Sequence, residues 1–75
     1  MLAFSVAEET DVRLVVFDVS GAAVRTVING RRKPGVYREQ WDGRNDKGSP
    51  VASGVYFYRL TAGSFRDARK MVLIR

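Results

Sequence analysis

Apolar and polar side chains alternate along most of this chain, as in β-strands that bury one face. Leu2, Phe4 and Val6 alternate with small residues, and residues 12–18 form a β-branched run that is apolar on both faces after Arg13. A strand that is apolar on both faces is typical of the centre of a sandwich. Further strands are predicted at residues 23–28, 36–41, 55–62 and 65–74. The pattern therefore predicts an all-β fold.

Turn-forming residues separate the predicted strands. Gly21 is expected to supply the positive φ of a tight connection. Asn29-Gly30 is a strong turn dipeptide, and residues 31–35 are expected to extend it into an exposed basic loop. The segment 42–53 carries Asp and Asn side chains that are expected to hydrogen-bond the main chain at successive turns. The turn positions that the sequence singles out are Gly21, Gly35, Asp42, Gly43, Asp46, Gly48 and Gly54.

Six predicted strands, separated by turns at intervals of about 8–12 residues, are typical of an immunoglobulin-like β-sandwich of six to seven antiparallel strands. One alternative concerns Ser64-Phe65-Arg66-Asp67, which fits a helix capping box. Only a few residues follow it before a β-branched tail, and isolated helices that short are marginal in water. We therefore expect a strand there.

With 75 residues the chain is expected to form one small domain, residues 1–75, which buries only about 60–65% of its unfolded surface. There is no cysteine, so neither a disulfide nor a cysteine-ligated metal can stabilise it. Stability must come from an apolar core, from a neighbouring chain, or from both. A tyrosine corner at Tyr56 or Tyr58 is a further candidate. The residues expected to be buried between two sheets are Phe4, Leu14, Val16, Val24, Trp41, Tyr56 and Leu60.

The net charge is +5, from 13 basic and 8 acidic side chains, and it is unevenly placed. Residues 1–20 are acidic, whereas residues 21–41 and 54–75 are basic. Such basicity has two interpretations. The first is a surface that binds nucleic acid. The second is that the arginines lie on solvated faces and edge strands, where their charge discourages aggregation. The charges are scattered along alternating strand positions, which favours the second interpretation. Nucleic acid is therefore not an expected partner.

The composition argues against catalysis. Histidine and cysteine are both absent, so the commonest general base and the thiol nucleophile are missing. The acid pairs Glu8-Glu9 and Asp42/Asp46 lie in polar turns, where nothing suggests a desolvated carboxylate. Glycine motifs that bind phosphate are absent as well. We expect no enzyme activity and no cofactor.

Asp42, Asn45 and Asp46 raise the question of a calcium loop. An EF-hand counted from Asp42 needs an oxygen ligand at its third position, glycine at its sixth and glutamate at its twelfth. Arg44, Lys47 and Ser53 stand at those positions in the loop. No metal site is expected, and a weak surface calcium site is the alternative.

Three blocks of fixed spacing stand out, and they read Val12-x-Leu14-x-Val16-Phe17-Asp18-x-x-Gly21-x-x-Val24-Arg25, Gly35-x-Tyr37-x-x-x-Trp41-Asp42-Gly43-x-x-x-x-Gly48-x-Pro50-Val51-Ala52-Ser53-Gly54-Val55-Tyr56-Phe57-Tyr58-Arg59-Leu60 and Lys70-Met71-Val72-Leu73. Together they resemble the FlgD immunoglobulin-like family, which occurs at the C-termini of large exported bacterial proteins and in flagellar hook-capping proteins. The chain is equally similar to the C-terminal sorting domains of the type IX secretion pathway. The resemblance implies a fold more sharply than a function.

The chain departs from this family at its front, because members usually carry an Asn-Pro-Phe-Asn-Pro-type lead-in before the first strand. Two exposed edges are expected, at residues 2–6 and 65–74. Residues 2–7 carry no charge, so the front edge is the less protected against pairing with another strand. We expect an upstream segment or a neighbouring protomer to cover it. The charges that blunt the terminal edge are Arg66, Arg69, Lys70 and Arg75.

Three functions remain open at this point. The resemblance implies a non-catalytic C-terminal module that helps an exported bacterial protein to be sorted, anchored or assembled at the cell surface. The second is a structural protomer of a flagellar-cap-like or filamentous assembly, joined through edge strands. The third is a basic module for nucleic acid or acidic glycans. The expected partners are the upstream domain, neighbouring protomers and the secretion or anchoring machinery. The expected location is secreted or at the bacterial cell surface, without a membrane span.

Overall fold

β-Branched and aromatic residues at alternating positions form six strands in the computed structural model, which describes residues 2–74. No helix occurs within that range. The strands are β1 (Leu2–Val6), β2 (Thr10–Phe17), β3 (Ala23–Arg32), β4 (Gly35–Glu39), β5 (Gly54–Ala62) and β6 (Phe65–Leu73). The prediction of an all-β chain is confirmed.

The strands form two sheets, and all their pairings are antiparallel. One sheet has four strands in the order β3-β2-β5-β6, and the other contains only β1 and β4. Leu14, at the middle of β2, lies in register with Ile28 of β3 and with Leu60 of β5. The arrangement is the immunoglobulin-like sandwich that the strand spacing predicted.

The core lies between the two sheets and is centred on β2. Its buried members come from both sheets, and all are at most 5% exposed: Val6, Val12, Leu14, Ile28 and Leu60. Five half-buried side chains pack against this cluster: Phe4, Val27, Tyr37, Tyr58 and Ala62. The rings of Phe4 and Tyr37 stack with centroids 5.5 Å apart, which fixes the inner face of the small sheet. Val15, on the other face of β2, is also buried.

The seven side chains expected in the core fall into two groups. Leu14, Val16, Tyr56 and Leu60 are buried, whereas the others, Phe4, Val24 and Trp41, are only half-buried. Trp41 lies beyond the end of β4, which stops at Glu39. Its ring packs edge-on against Tyr56 with centroids 5.1 Å apart, outside the cluster that joins the two sheets.

The predicted turn at Asn29-Gly30 is wrong. β3 continues through both residues to Arg32, because β2 begins at Thr10 and offers partners for them. Gly30 pairs with Val12 and Arg32 with Thr10. A strong local turn signal is thus overridden by long-range pairing, and the chain reverses instead at Lys33-Pro34, where proline supplies no main-chain donor.

Residues 64–67 form no helix. Ala62 pairs with Phe65, so a two-residue turn at Gly63-Ser64 joins β5 to β6 in a hairpin. Gly63 has a φ of 60°, and a Cβ atom at this position would lie 2.9 Å from Oγ1 of Thr10. Glycine is required there both by the left-handed backbone and by the close approach of β2.

Candidate interaction surface

The segment 42–53 is ordered by its own side chains. The Asp42 carboxylate accepts a hydrogen bond from the Arg44 amide at 3.1 Å. The Asn45 side-chain oxygen accepts from the amides of Lys47 and Ser49, both at 3.0 Å. These are the Asx turns that the sequence predicts, in which the side-chain oxygens serve the backbone of the loop itself.

Asp46 has a different role, which sequence reasoning missed. Its carboxylate accepts a hydrogen bond from the Thr26 amide at 2.9 Å, and its own amide donates to the Val24 carbonyl at 3.0 Å. Both partners belong to β3. Asp46 therefore holds the loop on the free edge of the large sheet and covers part of that edge.

No group of three or more acidic, histidine or cysteine side chains within residues 2–74 is placed to hold a metal ion. Asp42 and Asp46 each bond to different main-chain amides. No helix long and apolar enough to cross a membrane occurs in this same range.

Three of the five predicted turn glycines lie in turns or loops, and two begin strands. Gly21 has a φ of 88° and donates its amide to the Asp18 carbonyl at 3.0 Å, which closes the connection from β2 to β3. Gly43 and Gly48 also have positive φ, within the 42–53 segment. Gly35 and Gly54 instead begin β4 and β5.

Tyr56, rather than Tyr58, forms a hydrogen bond that fixes the end of the 42–53 segment. Its hydroxyl donates to the Ala52 carbonyl, four residues upstream, at 2.6 Å. The phenol ring is buried, at 7% exposure, and also contacts Trp41. Tyr58 is half-buried within the central cluster. The 42–53 segment is therefore fastened at its end as well as at Asp46.

Many of the basic side chains already have contacts within the chain. Arg31 lies 2.9 Å from the Glu9 carboxylate, and this hydrogen bond raises the pKa of Arg31 above its ordinary value. Arg25 donates to the Asn45 carbonyl at 3.0 Å, and the Arg59 guanidinium stacks 5.0 Å above the Phe17 ring. The register places Arg13, Arg59, Arg66 and Lys70 on the outer face of the large sheet, and other described cations lie on β3, β4 and the loops. Arg75 lies outside the described residues.

The four sheet edges differ in how they are protected. β3 is partly covered by Asp46, and β4 ends in the charged pair Arg38-Glu39. β6 carries four charged residues, whereas β1 carries none. Charge on an edge strand discourages pairing with a further strand. β1 is thus the least protected edge, and the edges at β3 and β4 are ones that sequence reasoning did not identify.

The two-stranded sheet covers only part of the large sheet. Along one row of core-facing residues, Val12 of β2 is 1% exposed, whereas Phe65 of β6 is 57% exposed. Along the next row, Leu14 is 1% and Leu60 5% exposed, whereas the Asp67 side chain is 37% exposed. Exposure thus rises towards β6 in these two rows, whereas Met71 and Leu73, further along the same face of β6, are half-buried.

A groove runs between β1 and β6 as a result, and we call it the β1–β6 groove. One cavity of about 370 Å³ is bounded by Ala3, Phe4 and Ser5 on β1, by Leu14, Tyr58 and Leu60 on its floor, and by Phe65, Asp67 and Arg69 on β6. A second, of about 350 Å³, adjoins it at Ser5 and Phe65 and reaches Glu8 and Glu9. The groove therefore extends along β1 from Ala3 to Val6.

Comparison with protein families gives one match. The family model for the FlgD Ig-like domain matches residues 2–64, which is most of the chain. Comparison with curated proteins and with solved structures found no significant match. The matched residues include β1 to β5 and the 42–53 segment, and thus the features that shape one side of the β1–β6 groove.

Proposed function

The chain belongs to the FlgD Ig-like domain family, and from this premise we propose that residues 1–75 are a non-catalytic accessory domain of an exported bacterial protein. Its role is to sort, anchor or assemble that protein at the cell surface. Its partners are an upstream domain of the same protein, neighbouring protomers that bind through edge strands, and the secretion or anchoring machinery. The domain acts by binding these partners.

The observation that carries this proposal is the exposed Phe65 on the inner face of β6 beside the uncharged edge of β1. An exposed strand edge next to a groove with apolar lining residues is a site at which another chain can add a strand. Within residues 2–74 no acidic cluster is placed to bind a metal, and the carboxylates of Asp42 and Asp46 serve the backbone. The surface is suited to binding a strand of another polypeptide.

The test is made in the bacterium that encodes the protein. Residues 1–75 are replaced by an unrelated immunoglobulin-like sandwich of similar size, and the protein is followed by cell fractionation and by protease treatment of intact cells. We expect the exchanged protein to be made but lost from the surface or from its assembly. Equal surface amounts of the exchanged and natural proteins would contradict the proposal.

A second candidate is a structural protomer of a flagellar-cap-like or filamentous assembly. The uncharged β1 edge favours it, because no charge on that strand opposes pairing with another copy. Light scattering over a range of concentrations distinguishes the two functions. A protomer forms larger species as concentration rises, whereas an accessory domain stays monomeric and needs its other partner.

A further inference from the structure

We propose that the β1–β6 groove binds a single extended segment of a partner polypeptide, which adds to the free edge of β1 and covers β6. This inference rests on the proposed function and specifies the partner at its site. The segment carries apolar side chains at every second position. It acts as a third strand of the small sheet.

The first argument is the position of Phe65. In register it pairs with Ala62, which pairs with Val12 in the buried core, so Phe65 lies on the core-facing side of the sheet. It is nevertheless 57% exposed and stands where the two cavities of the groove meet. A large aromatic side chain on the inner face of a sandwich is normally covered by the opposing sheet. No strand among residues 2–74 covers Phe65 in this way.

The second argument is that β1 offers main-chain groups in the right place. β1 pairs with β4 on one side only, over all five of its residues. Its other side faces the groove, through Ala3, Phe4 and Ser5. The main-chain groups of that side hydrogen-bond an added strand, while alternate side chains of that strand enter the groove and meet Leu60 and Phe65.

The third argument concerns the kind of partner. A second copy that paired through β1 about a two-fold axis would also bring its own β6. Phe65, Asp67 and Arg69 of β6 line the groove onto which the β1 edge opens, so a second copy paired at β1 would bring its own β6 towards that same space. One extended segment without an attached sheet fits the groove where a whole second domain does not. The occupant is therefore a peptide-like strand and not a symmetric dimer partner.

Charge at the two ends of the groove refines the chemistry. Glu8 and Glu9 line one end, where Glu9 is paired with Arg31 at 2.9 Å and Glu8 has no ion pair within residues 2–74. At the other end Asp67 and Arg69 form an ion pair at 3.1 Å, which leaves little net charge there. A basic residue on the partner strand is favoured beside Glu8, and apolar residues are favoured between the two ends.

The binding probe is a capped peptide of about eight residues, long enough to span β1, that alternates valine with threonine. One version carries lysine at its N-terminal end and another at its C-terminal end. The control peptide has the same composition except for a central proline, which cannot extend a ladder of hydrogen bonds. Peptide is titrated into the 75-residue chain while the melting temperature and the amide NMR signals of residues 2–74 are recorded.

We expect one lysine version to raise the melting temperature in a concentration-dependent way and to shift the amide signals of Ala3, Ser5 and Phe65. Phe65→Asp should weaken that binding by at least about tenfold, a loss typical of a central apolar contact. The matched control is Val72→Asp, on the opposite face of the same strand and 62% exposed, which should bind as the natural chain does.

Two results would overturn the inference. One is no temperature or signal change with any valine–threonine peptide, or equal changes with the proline control. The other is a dimer in sedimentation that Phe65→Asp dissociates, because a second copy would then be the occupant. Neither result touches the proposed function, which fails only if exchange of the whole domain leaves surface assembly intact.

Discussion

The carboxylate of Asp46 accepts a hydrogen bond from the main-chain amide of Thr26 at 2.9 Å, across 20 positions of the sequence. The Asp46 amide also donates to the Val24 carbonyl at 3.0 Å. Two groups on the free edge of β3 are thereby satisfied by one loop residue. The 42–53 segment is thus a cover for a sheet edge.

Loss of this contact should loosen the loop without any involvement of metal. We expect Asp46→Ala to lower the free energy of unfolding by about 1 kcal/mol, since it leaves the Thr26 amide without that acceptor. Asp42→Ala removes a bond only within the loop and should cost less. EDTA should leave the melting temperature unchanged. A drop on chelation that calcium reverses would contradict the absence of a metal site.

The hydroxyl of Tyr56 should contribute measurably to stability. Tyr56→Phe keeps the buried ring but removes the donor to the Ala52 carbonyl, and should cost about 0.5–1.5 kcal/mol in urea unfolding. Tyr58→Phe is the matched control on the same strand, because its ring packs in the core cluster and its hydroxyl makes no such loop contact. Equal losses in the two variants would show that the Tyr56 bond adds nothing specific.

Trp41 should be important although it is only half-buried. Trp41→Ala removes the contact with the Tyr56 ring and the hydrogen bond from the indole to the Arg44 carbonyl. We expect a loss of about 3 kcal/mol, at the lower end for truncation of a large aromatic residue. Trp41→Phe should retain much of the ring contact and lose less. A cooperatively folded Trp41→Ala variant with a nearly unchanged melting temperature would identify Trp41 as a surface group.

Asp18 should make stability fall at acidic pH. Hydrogen bonds from the Ser20 hydroxyl, and then from the Ala22 and Ser20 amides, hold the pKa of Asp18 below its ordinary value of 3.8. A carboxyl whose pKa is lower in the folded state stabilises the fold above its ordinary pKa. That contribution is lost as pH falls through the folded-state pKa.

The measurement is chemical denaturation of the natural chain and of Asp18→Asn at several pH values. The variant should be less stable near neutral pH, and the difference should shrink below the ordinary pKa of 3.8. Ser20→Ala removes the largest cause of the shift and should reduce the pH dependence in the same direction. A difference that stays constant with pH would contradict the role of Asp18.

Much of the fold follows from local sequence. Period-two apolar residues indicate most of the six strands, β6 is favoured because a helix there would be too short, and glycines with positive φ, such as Gly21, mark reversals of the chain. These signals are reliable because alternation of side chains and the freedom of glycine are properties of each segment by itself. The spacing and the Trp-Asp-Gly to Gly-Val-Tyr block then indicate the family.

Partner choice among strands is where local signals fail. Asn29-Gly30 is a turn dipeptide by composition, yet both residues are in β3 because β2 pairs with them. Asp46 resembles the other turn-capping residues, yet it bonds to Thr26 on another strand. In both cases a contact between residues distant in sequence is more favourable than the local preference. A short stretch of sequence does not contain the information needed to predict such a contact.

The sequence alone indicated an all-β immunoglobulin-like domain of the FlgD type, as the structure and the family match bear out. Only the tertiary structure decided that two strands lie over four, so that Phe65 on the inner face of β6 is left uncovered. The physical reason is that alternation shows which residues share a face of a strand. How much of that face the opposite sheet covers depends on strand order and on how the layers are stacked.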